Sequence, residues 1–271
     1  MKTFKLKDGN EIPFIGFGTW RLNGDECIKA VKYAIEAGYR HIDTAELYGN
    51  HKEVGLAIKS SGVKREDLFI TTKIPPHDLS YNSVIESCYR YLKELEIEYI
   101  DLLLIHWPNK KYPIGETLSG MQKLKSDGKI RSIGVSNFTI HHLEDTKETI
   151  VEVVNNQVEM HIEFNQKELR EYCKNKGIII TAYSPLGRGN NLDNPVLIEI
   201  SKIHNATPSQ VALSWINSKE VIAIPKSSKP ARIKENFDSQ NIKLSDEEIA
   251  KIDAIPQKDR TVVASWNEFS Y

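Results

Sequence analysis

An aspartate, a tyrosine, a lysine and a histidine stand at or just beyond the ends of three successive apolar runs: Asp43 with Tyr48, then Lys73, then His106. A phenol has a reference pKa of about 10 and is a poor acid at neutral pH. A neighbouring ammonium would stabilise the phenolate, and a carboxylate would hold that lysine charged. An imidazole at His106 can hydrogen-bond a carbonyl oxygen and polarise it. This combination favours carbonyl reduction over hydrolysis, with Tyr48 as the acid and a cofactor as the hydride source.

The elements that must position these side chains alternate between short apolar runs and longer amphipathic segments. Strands are predicted at Ile15–Gly18, His41–Asp43, Leu68–Thr72, Ile100–Ile105, Ile130–Val135, Val153–Gln157, Ile178–Tyr183 and Val221–Ile224. Each parallel crossover needs a helix, and eight such strands close into a (β/α)8 TIM barrel. Asp8-Gly9 predicts a β-hairpin before the barrel, between Thr3–Leu6 and Glu11–Phe14. We expect an α/β chain in which residues 1–271 form one domain.

Several helices carry recognisable start signals. Ser80 precedes apolar positions that share one helix face, and Thr207 precedes a proline at the first helical position. Ser245 opens a capping box with Glu248. Trp215 has helical spacing and is interpreted as a core residue.

The rival fold is a doubly wound open sheet, which should carry G-x-G-x-x-G after an early strand. The runs that begin at Gly16 and Gly187 both lack the last glycine. The barrel also explains why polar residues follow every predicted strand, because barrel active sites lie at the carboxyl ends of the strands. These strand-end residues are Thr19-Trp20, Asp43 with Tyr48, Lys73, His106-Trp107, Ser136-Asn137, Gln157, Tyr183-Ser184 and Lys226-Ser227.

Composition excludes several classes of protein. The chain has 36 Lys+Arg against 37 Asp+Glu, so no overall field favours nucleic acid or an anionic membrane. No stretch approaches the ~20 apolar residues of a membrane span, and no leader-like segment opens the chain. The three cysteines fit neither a disulfide framework nor a metal site. We expect a cytoplasmic protein that binds no metal.

The sequence resembles the aldo-keto reductases nearly from end to end. The segments that carry the resemblance are Gly16-Phe17-Gly18-Thr19-Trp20, residues 38–49, Thr72-Lys73, residues 104–108, residues 134–138, residues 156–159, residues 182–187 and Ile224-Pro225-Lys226-Ser227. Their order and spacing, rather than any single segment, make the resemblance specific.

The resemblance implies NADPH-dependent reduction of small aldehydes and ketones, with Asp43, Tyr48, Lys73 and His106 as the catalytic residues. It implies that the substrate pocket is lined by Trp20, Tyr48, His106 and Trp107. It places at the cofactor Gly18, Thr19, Trp20, Ser136, Asn137, Gln157, Tyr183, Ser184, Leu186, Gly187, Lys226, Ser227, Arg232, Glu235 and Asn236. Lys226 and Arg232 would hold the 2′-phosphate, which favours NADP over NAD.

Some positions depart from the family's commoner residues. Ile162-Glu163 follows the histidine of the Gln157 segment, where the family often has a proline and an aromatic residue. Ser228, Lys229 and Ala231 differ from the commoner residues beside the phosphate-binding positions. The loop after Trp107 is short, and the chain ends soon after Trp266. Both features resemble the microbial 2,5-diketogluconate and methylglyoxal reductases, which implies an open site for α-dicarbonyls and keto-sugars in a monomer.

Two alternatives stay open. The first is a redox-sensing protein that binds the cofactor with little turnover and so resembles the potassium-channel β subunits of the same family. The second is an unrelated phosphate-binding barrel such as an isomerase, which should carry a glycine-rich loop after the seventh or eighth strand. Lys226-Ser227 has no such glycines.

Overall fold

An antiparallel hairpin closes the amino-terminal end of the barrel in the computed structural model, which describes residues 2–264 and 268–270. Strands β1 (Thr3–Lys5) and β2 (Glu11–Pro13) pair with Phe4 opposite Ile12. Leu6 and Ile12 are buried in a cluster with residues from the first part of the barrel strands. The hairpin therefore seals the end of the barrel opposite the strand ends that carry the polar residues.

Eight parallel strands follow one another around the barrel in sequence order. They are β3 (Phe17–Gly18), β4 (His41–Asp43), β5 (Phe69–Ile74), β6 (Ile100–Ile105), β7 (Ile130–Ser136), β8 (Asn155–Glu159), β9 (Ile179–Tyr183) and β10 (Ile222–Ala223). A parallel bridge between Ile15 and Ala223 joins the last strand to the first. The predicted TIM barrel with an amino-terminal hairpin is confirmed.

The seam between β3 and β10 requires a glycine. A Cβ built on Gly18 would lie 2.9 Å from the backbone oxygen of Ile224, which real side chains do not tolerate. The amide of Gly18 also donates to the oxygen of Pro225 at 3.1 Å. A side chain at Gly18 would push these strands apart, and the barrel closes because this position has none.

Three strands end later than predicted. Strand β5 continues through Lys73 to Ile74, β8 runs to Glu159 rather than ending at Gln157, and β7 ends one residue later, at Ser136. A charged residue stops a hydrophobic run, but Lys73 and Glu159 are both fully buried and find polar partners inside the barrel end. The first and last strands are in turn shorter than predicted, since only two residues of each complete the ladder.

The helices lie between the strands, as a barrel requires. They are α1 (Gly24–Ala37), α2 (His51–Ser60), α3 (Tyr81–Leu95), α4 (Ile114–Ser126), α5 (Ile140–Asp145), α6 (Lys167–Lys176), α7 (Pro195–Ile203), α8 (Pro208–Ser218), α9 (Pro230–Asp238) and α10 (Asp246–Asp253). Ser80, Thr207 and Ser245 cap α3, α8 and α10 as predicted. Trp215 is buried, and its indole donates to Asp253 at 2.8 Å. None of the described helices has the length and apolar character to cross a membrane.

Candidate active site

The ammonium group of Lys73 is the centre of the polar cluster at the carboxyl ends of the strands. Its Nζ lies 2.6 Å from Oδ1 of Asp43, 2.8 Å from the backbone oxygen of Thr44 and 3.3 Å from Oη of Tyr48. An ammonium has three N–H donors, and these three acceptors match them. Lys73 is completely buried. The side chain is therefore held in one position with its charge directed at the carboxylate and the phenol.

Asp43 has a second partner across the barrel. Its Oδ2 accepts a hydrogen bond of 2.7 Å from Nε2 of Gln157, which lies on β8. Burial raises the pKa of the Asp43 carboxyl, and the charge and hydrogen bonds of Lys73 and Gln157 oppose that shift. For Lys73, burial lowers the pKa, but Asp43 and Tyr48 outweigh it and leave the pKa of the ammonium raised. Lys73 is consequently charged at neutral pH.

Tyr48 lies on the short 3-10 turn Glu46–Tyr48, beyond the end of β4. The turn is tied to α3 because Glu46 accepts hydrogen bonds from Tyr91 and, at 2.8 Å, from Arg90. Burial raises the pKa of the Tyr48 phenol, and Lys73 acts in the opposite direction. Lys73 thus lowers the pKa of Tyr48 as the sequence leads us to expect, but burial has the larger effect. The phenol is protonated at neutral pH and carries the proton that a donor needs.

The imidazole of His106 packs edge-on against the Tyr48 ring, with centroids 5.7 Å apart. Burial lowers the pKa of His106 well below its ordinary value, and the charge of Lys73 adds to this effect. The imidazole is therefore neutral. Its Nδ1 is buried without a hydrogen-bond partner among the described residues. A neutral ring of this kind can orient a carbonyl oxygen without competing with Tyr48 as the acid.

Four residues at the ends of β7, β8 and β9 form a second polar group. Asn137 donates to the backbone oxygen of His106 at 3.0 Å and accepts from the Tyr183 hydroxyl at 2.8 Å. Ser136 donates to the backbone oxygen of Gln157 at 2.8 Å. The structure thus joins Ser136, Asn137, Gln157 and Tyr183 directly to Asp43 and His106.

This group fits a nicotinamide carboxamide. The side-chain amide nitrogen of Gln157 donates to Asp43, while its Oε1 accepts no hydrogen bond from any described residue. That oxygen is available to a carboxamide N–H. Tyr183 is fixed by its hydroxyl, which leaves the aromatic ring as a rigid surface for a planar group.

Gly18, Thr19 and Trp20 stand at the end of β3. The Thr19 hydroxyl donates to the backbone oxygen of Asp43 at 3.0 Å. Trp20 is 39% exposed, and the guanidinium groups of Arg21 and Arg188 lie 4.3 Å and 5.2 Å from its ring centroid. Thr19 supports the strand that carries Asp43. Trp20 links the loop after β3 to the loop after β9, because Arg188 of the latter lies over its ring.

The loop after β9 carries the residues expected near the pyrophosphate. Ser184 and Gly187 both have positive φ, of 48° and 53°. A Cβ on Gly187 would lie 2.5 Å from Nδ2 of Asn191. The loop therefore turns sharply between Ser184 and Leu186, and Arg188 at its tip returns toward Trp20.

The residues expected at the adenosine 2′-phosphate surround the start of α9. Lys226 and Arg232 are exposed, and neither has an ion pair within the described ranges. Ser227 is buried and accepts the Lys229 amide at 3.1 Å. Glu235 accepts a hydrogen bond of 2.8 Å from Thr207, so its carboxylate holds α8 rather than facing the basic side chains. Asn236 is buried on the same helix. Two exposed cations beside a helix start fit a phosphate.

Trp107 is only 6% exposed because the carboxyl-terminal residues cover it. The Phe269 ring lies 5.5 Å from the Trp107 ring, and Glu268 accepts from the Lys110 amide at 2.9 Å. The short chain end therefore still reaches the barrel opening. Trp266, whose role the sequence left undefined, lies outside the described residues.

The sequence pattern assigns no role to three further polar groups at the site. Asn50 bonds to Thr19, Leu22 and Thr44, and so ties the loop after β3 to the loop after β4. Glu46 fixes the turn of Tyr48, and Glu159 holds the chain end. No local pattern marks these roles, because the partners come from other elements of the fold.

A parallel barrel with a neutral imidazole, a buried ammonium and a protonated phenol at its carboxyl end has the features of a carbonyl-reducing barrel enzyme. Residues 14–257 match the aldo/keto reductase family. The chain belongs to this family and is an oxidoreductase that acts on carbonyl compounds with a nicotinamide cofactor.

Relatives match over almost the whole chain. It is 47% identical to a glyoxal reductase of Bacillus subtilis (strain 168), over 95% of this chain and 94% of that protein. It is 39% identical to the methylglyoxal reductase DkgA of Escherichia coli O157:H7, over 94% of each. The crystal structure of MGS-M4, an aldo-keto reductase from a deep-sea metagenome library, superposes with a TM-score of 0.94 at 38% identity, covering 99% of this chain and 100% of that chain.

Proposed function

We propose that the protein reduces small aldehydes, ketones, α-dicarbonyls and keto-sugars to alcohols, with a hydride from NADPH and a proton from Tyr48. The observation that carries the proposal is the position of the Lys73 ammonium, 2.6 Å from the Asp43 carboxylate and 3.3 Å from the Tyr48 hydroxyl. This arrangement lets Tyr48 release a proton next to a fixed positive charge, which stabilises the phenolate left behind.

Each residue has one task in this reaction. When bound, NADPH would supply the hydride for the carbonyl carbon. Tyr48 donates its proton to the carbonyl oxygen, which completes the alcohol, and Lys73 stabilises the phenolate that remains. His106, held neutral by burial, hydrogen-bonds the same oxygen and orients it. Asp43 keeps Lys73 charged and in place.

The preference for NADPH over NADH rests on charge. Lys226 and Arg232 are exposed cations that flank the start of α9, and no carboxylate occurs between them in the sequence. A 2′-phosphate carries nearly two negative charges and three acceptor oxygens, so it gains charge-assisted hydrogen bonds there. The free 2′-hydroxyl of NADH gains much less.

The substrate class is supported by the relatives. Proteins similar over nearly their whole length are a glyoxal reductase and a methylglyoxal reductase. Trp20, which is 39% exposed, and Trp107, on which Phe269 packs, offer aromatic walls at the barrel opening. Methylglyoxal is accordingly the first substrate to test, followed by a keto-gluconate and a benzaldehyde.

The deciding experiment follows NADPH and NADH consumption with these substrates for wild type and Tyr48→Phe. We expect turnover with NADPH and a loss of at least about 100-fold in kcat for the variant, which is the usual contribution of a positioned acid. Retained activity in Tyr48→Phe would refute the proton donor. Tight NADPH binding without turnover of any carbonyl would favour the sensor alternative.

The cellular setting belongs to the same proposal. We expect a cytoplasmic protein, which the three buried, free cysteines support, and a monomer, which rests on the family resemblance alone. Light scattering after size exclusion measures the mass in solution, and a dimer would contradict the expectation.

A further inference from the structure

A cavity of about 340 Å³ lies beside the barrel opening, separate from the cluster around Lys73. Its walls are residues 137–140 after β7, Val158 of β8, residues 166–169 at the start of α6, and Arg260 with Phe269 from the carboxyl-terminal part of the chain. Cavities of this size hold small organic ligands. Apart from Asn137, its walls have no part in the proposed transfer of hydride and proton.

The guanidinium of Arg260 is the partly buried charged group of this cavity, whereas Lys167 and Glu168 are exposed. It lies 3.1 Å from the ring centroid of Phe269 and 5.4 Å from that of Phe164. Within residues 2–264 and 268–270 it has no hydrogen bond or ion pair. Burial lowers the pKa of Arg260, and the charges of Tyr183 and Glu159 act in the opposite direction, so the guanidinium stays charged at neutral pH. A carboxylate in the cavity would gain direct, charge-assisted hydrogen bonds from it.

The charge of the Glu159 carboxylate acts on Arg260, but its hydrogen bonds go to other groups. Glu159 is completely buried, and its oxygens accept hydrogen bonds from the backbone and hydroxyl of Thr261 and from the Val262 amide at 3.0 Å. His161 lies a further 3.4 Å from one of these oxygens. Glu159 thus anchors the two residues that follow Arg260 and leaves the guanidinium to face the cavity.

The other walls define the rest of the ligand. Phe138, Leu169 and Phe269 offer apolar surface, and the exposed Lys167 and Glu168 add one charge of each sign. We infer that this cavity binds the carboxylate of a small organic acid, with Arg260 as its ion-pair partner and the aromatic walls around its apolar part. Arginine suits this role because its planar fork meets both oxygens of a carboxylate.

The cavity is also connected to the reacting centre. Asn137 lines it and donates to the backbone oxygen of His106, and Phe269 lines it and packs on Trp107. The carboxylate therefore has two possible sources: the far end of the carbonyl substrate, or a separate acid that binds next to the active site.

Binding is tested without turnover, so the result does not depend on the proposed reduction. Calorimetric titration of the full chain with benzoate and with hexanoate, each against its neutral methyl ester, is expected to show binding of the acids alone. Arg260→Gln should lower the binding affinity for both acids by at least about tenfold, because a charge-assisted contact is lost. Arg260→Lys should retain part of that affinity. Thermal unfolding of each variant verifies that it folds.

A matched control removes a positive charge from the same segment. Lys258 is paired with Glu163 at 2.7 Å, has a side chain that is 65% exposed, and does not line the cavity. Lys258→Gln should leave the affinity unchanged, while Glu168→Gln, which removes the negative charge at the rim, should tighten it. Equal affinity in wild type and Arg260→Gln overturns the inference. So does an affinity that falls in His106→Gln but not in Arg260→Gln, because the acid then binds beside Tyr48.

A second measurement decides the source of the carboxylate. The ratio of kcat/KM for 5-oxopentanoate to that for its methyl ester cancels general damage to the enzyme. A ratio that exceeds one in wild type and drops by at least about tenfold in Arg260→Gln assigns the carboxylate to the substrate. An unchanged ratio, together with Arg260-dependent binding of benzoate, assigns it to a separate acid. If wild type does not turn over methylglyoxal, that result counts against the proposed reduction and not against carboxylate binding in the cavity.

Discussion

Replacement of Lys73 by methionine tests whether the buried ion pair organises the site. The change keeps an unbranched apolar stem but removes the ammonium, so the buried Asp43 carboxylate keeps only its bond to Gln157. Removing one partner of a buried pair costs about 3–5 kcal/mol, because the other charge is left without compensation. We expect the free energy of unfolding at pH 7 to fall by that amount.

The loss should depend on pH in a definite direction. Burial raises the pKa of Asp43, and in Lys73→Met the largest opposing effect is gone. Between the unfolded pKa of about 3.9 and the raised folded value, the folded variant holds a proton that the unfolded chain does not. The stability that comes from this proton is full below the unfolded pKa and is lost as pH rises through the folded pKa. The deficit relative to wild type should therefore shrink by up to about 2.7 kcal/mol from pH 7 to pH 5.

Urea unfolding of wild type and variants at both pH values measures this effect. The double variant Asp43→Asn/Lys73→Met buries no charge at either position and should recover at least half of the stability lost by Lys73→Met. Lys59→Met is the matched control: Lys59 and Glu96 also lie 2.6 Å apart, but their side chains are 70% and 50% exposed. Water screens that pair, so the control should unfold like wild type. A deficit that is the same at pH 7 and pH 5, and that the double variant does not reduce, would refute the reasoning.

Three other changes probe the supports of the site. Glu46→Gln weakens the contacts that hold the turn of Tyr48 on α3, and it should lower kcat about tenfold while KM changes little; an equal rise in KM would contradict a positioning role. Glu159→Gln removes the charge that Thr261 and its neighbour bind, and hydrogen exchange should speed up in the chain end but not in β8; unchanged exchange in that segment would count against the anchor. Ser245→Ala deletes the cap of α10 and should cost about 1 kcal/mol in urea unfolding without changing kcat; a loss of activity would show that this helix start acts on the site.

The order of the strands was predictable because each barrel unit is local. Strand-forming runs of three to six residues, helix caps such as Ser80, and the glycine breaks between units are all marked in the sequence within a few residues. The polar residues at strand ends could be read in the same way. Strand ends were less predictable: Lys73 and Glu159 stop a hydrophobic run, and only the buried partners of their charges explain why the strands continue through them.

The sequence by itself determined the barrel, the family resemblance and the identity of the residues around Tyr48, since all of these depend on residue type and spacing along the chain. The tertiary structure decided which groups neutralise one another. Only folding brings Gln157 to Asp43, Glu46 to α3, and Thr261 to Glu159 in preference to Arg260. The reason is physical: the energy of a buried charge depends on the partners within a few ångströms of it, and in a closed barrel those partners come from distant parts of the chain.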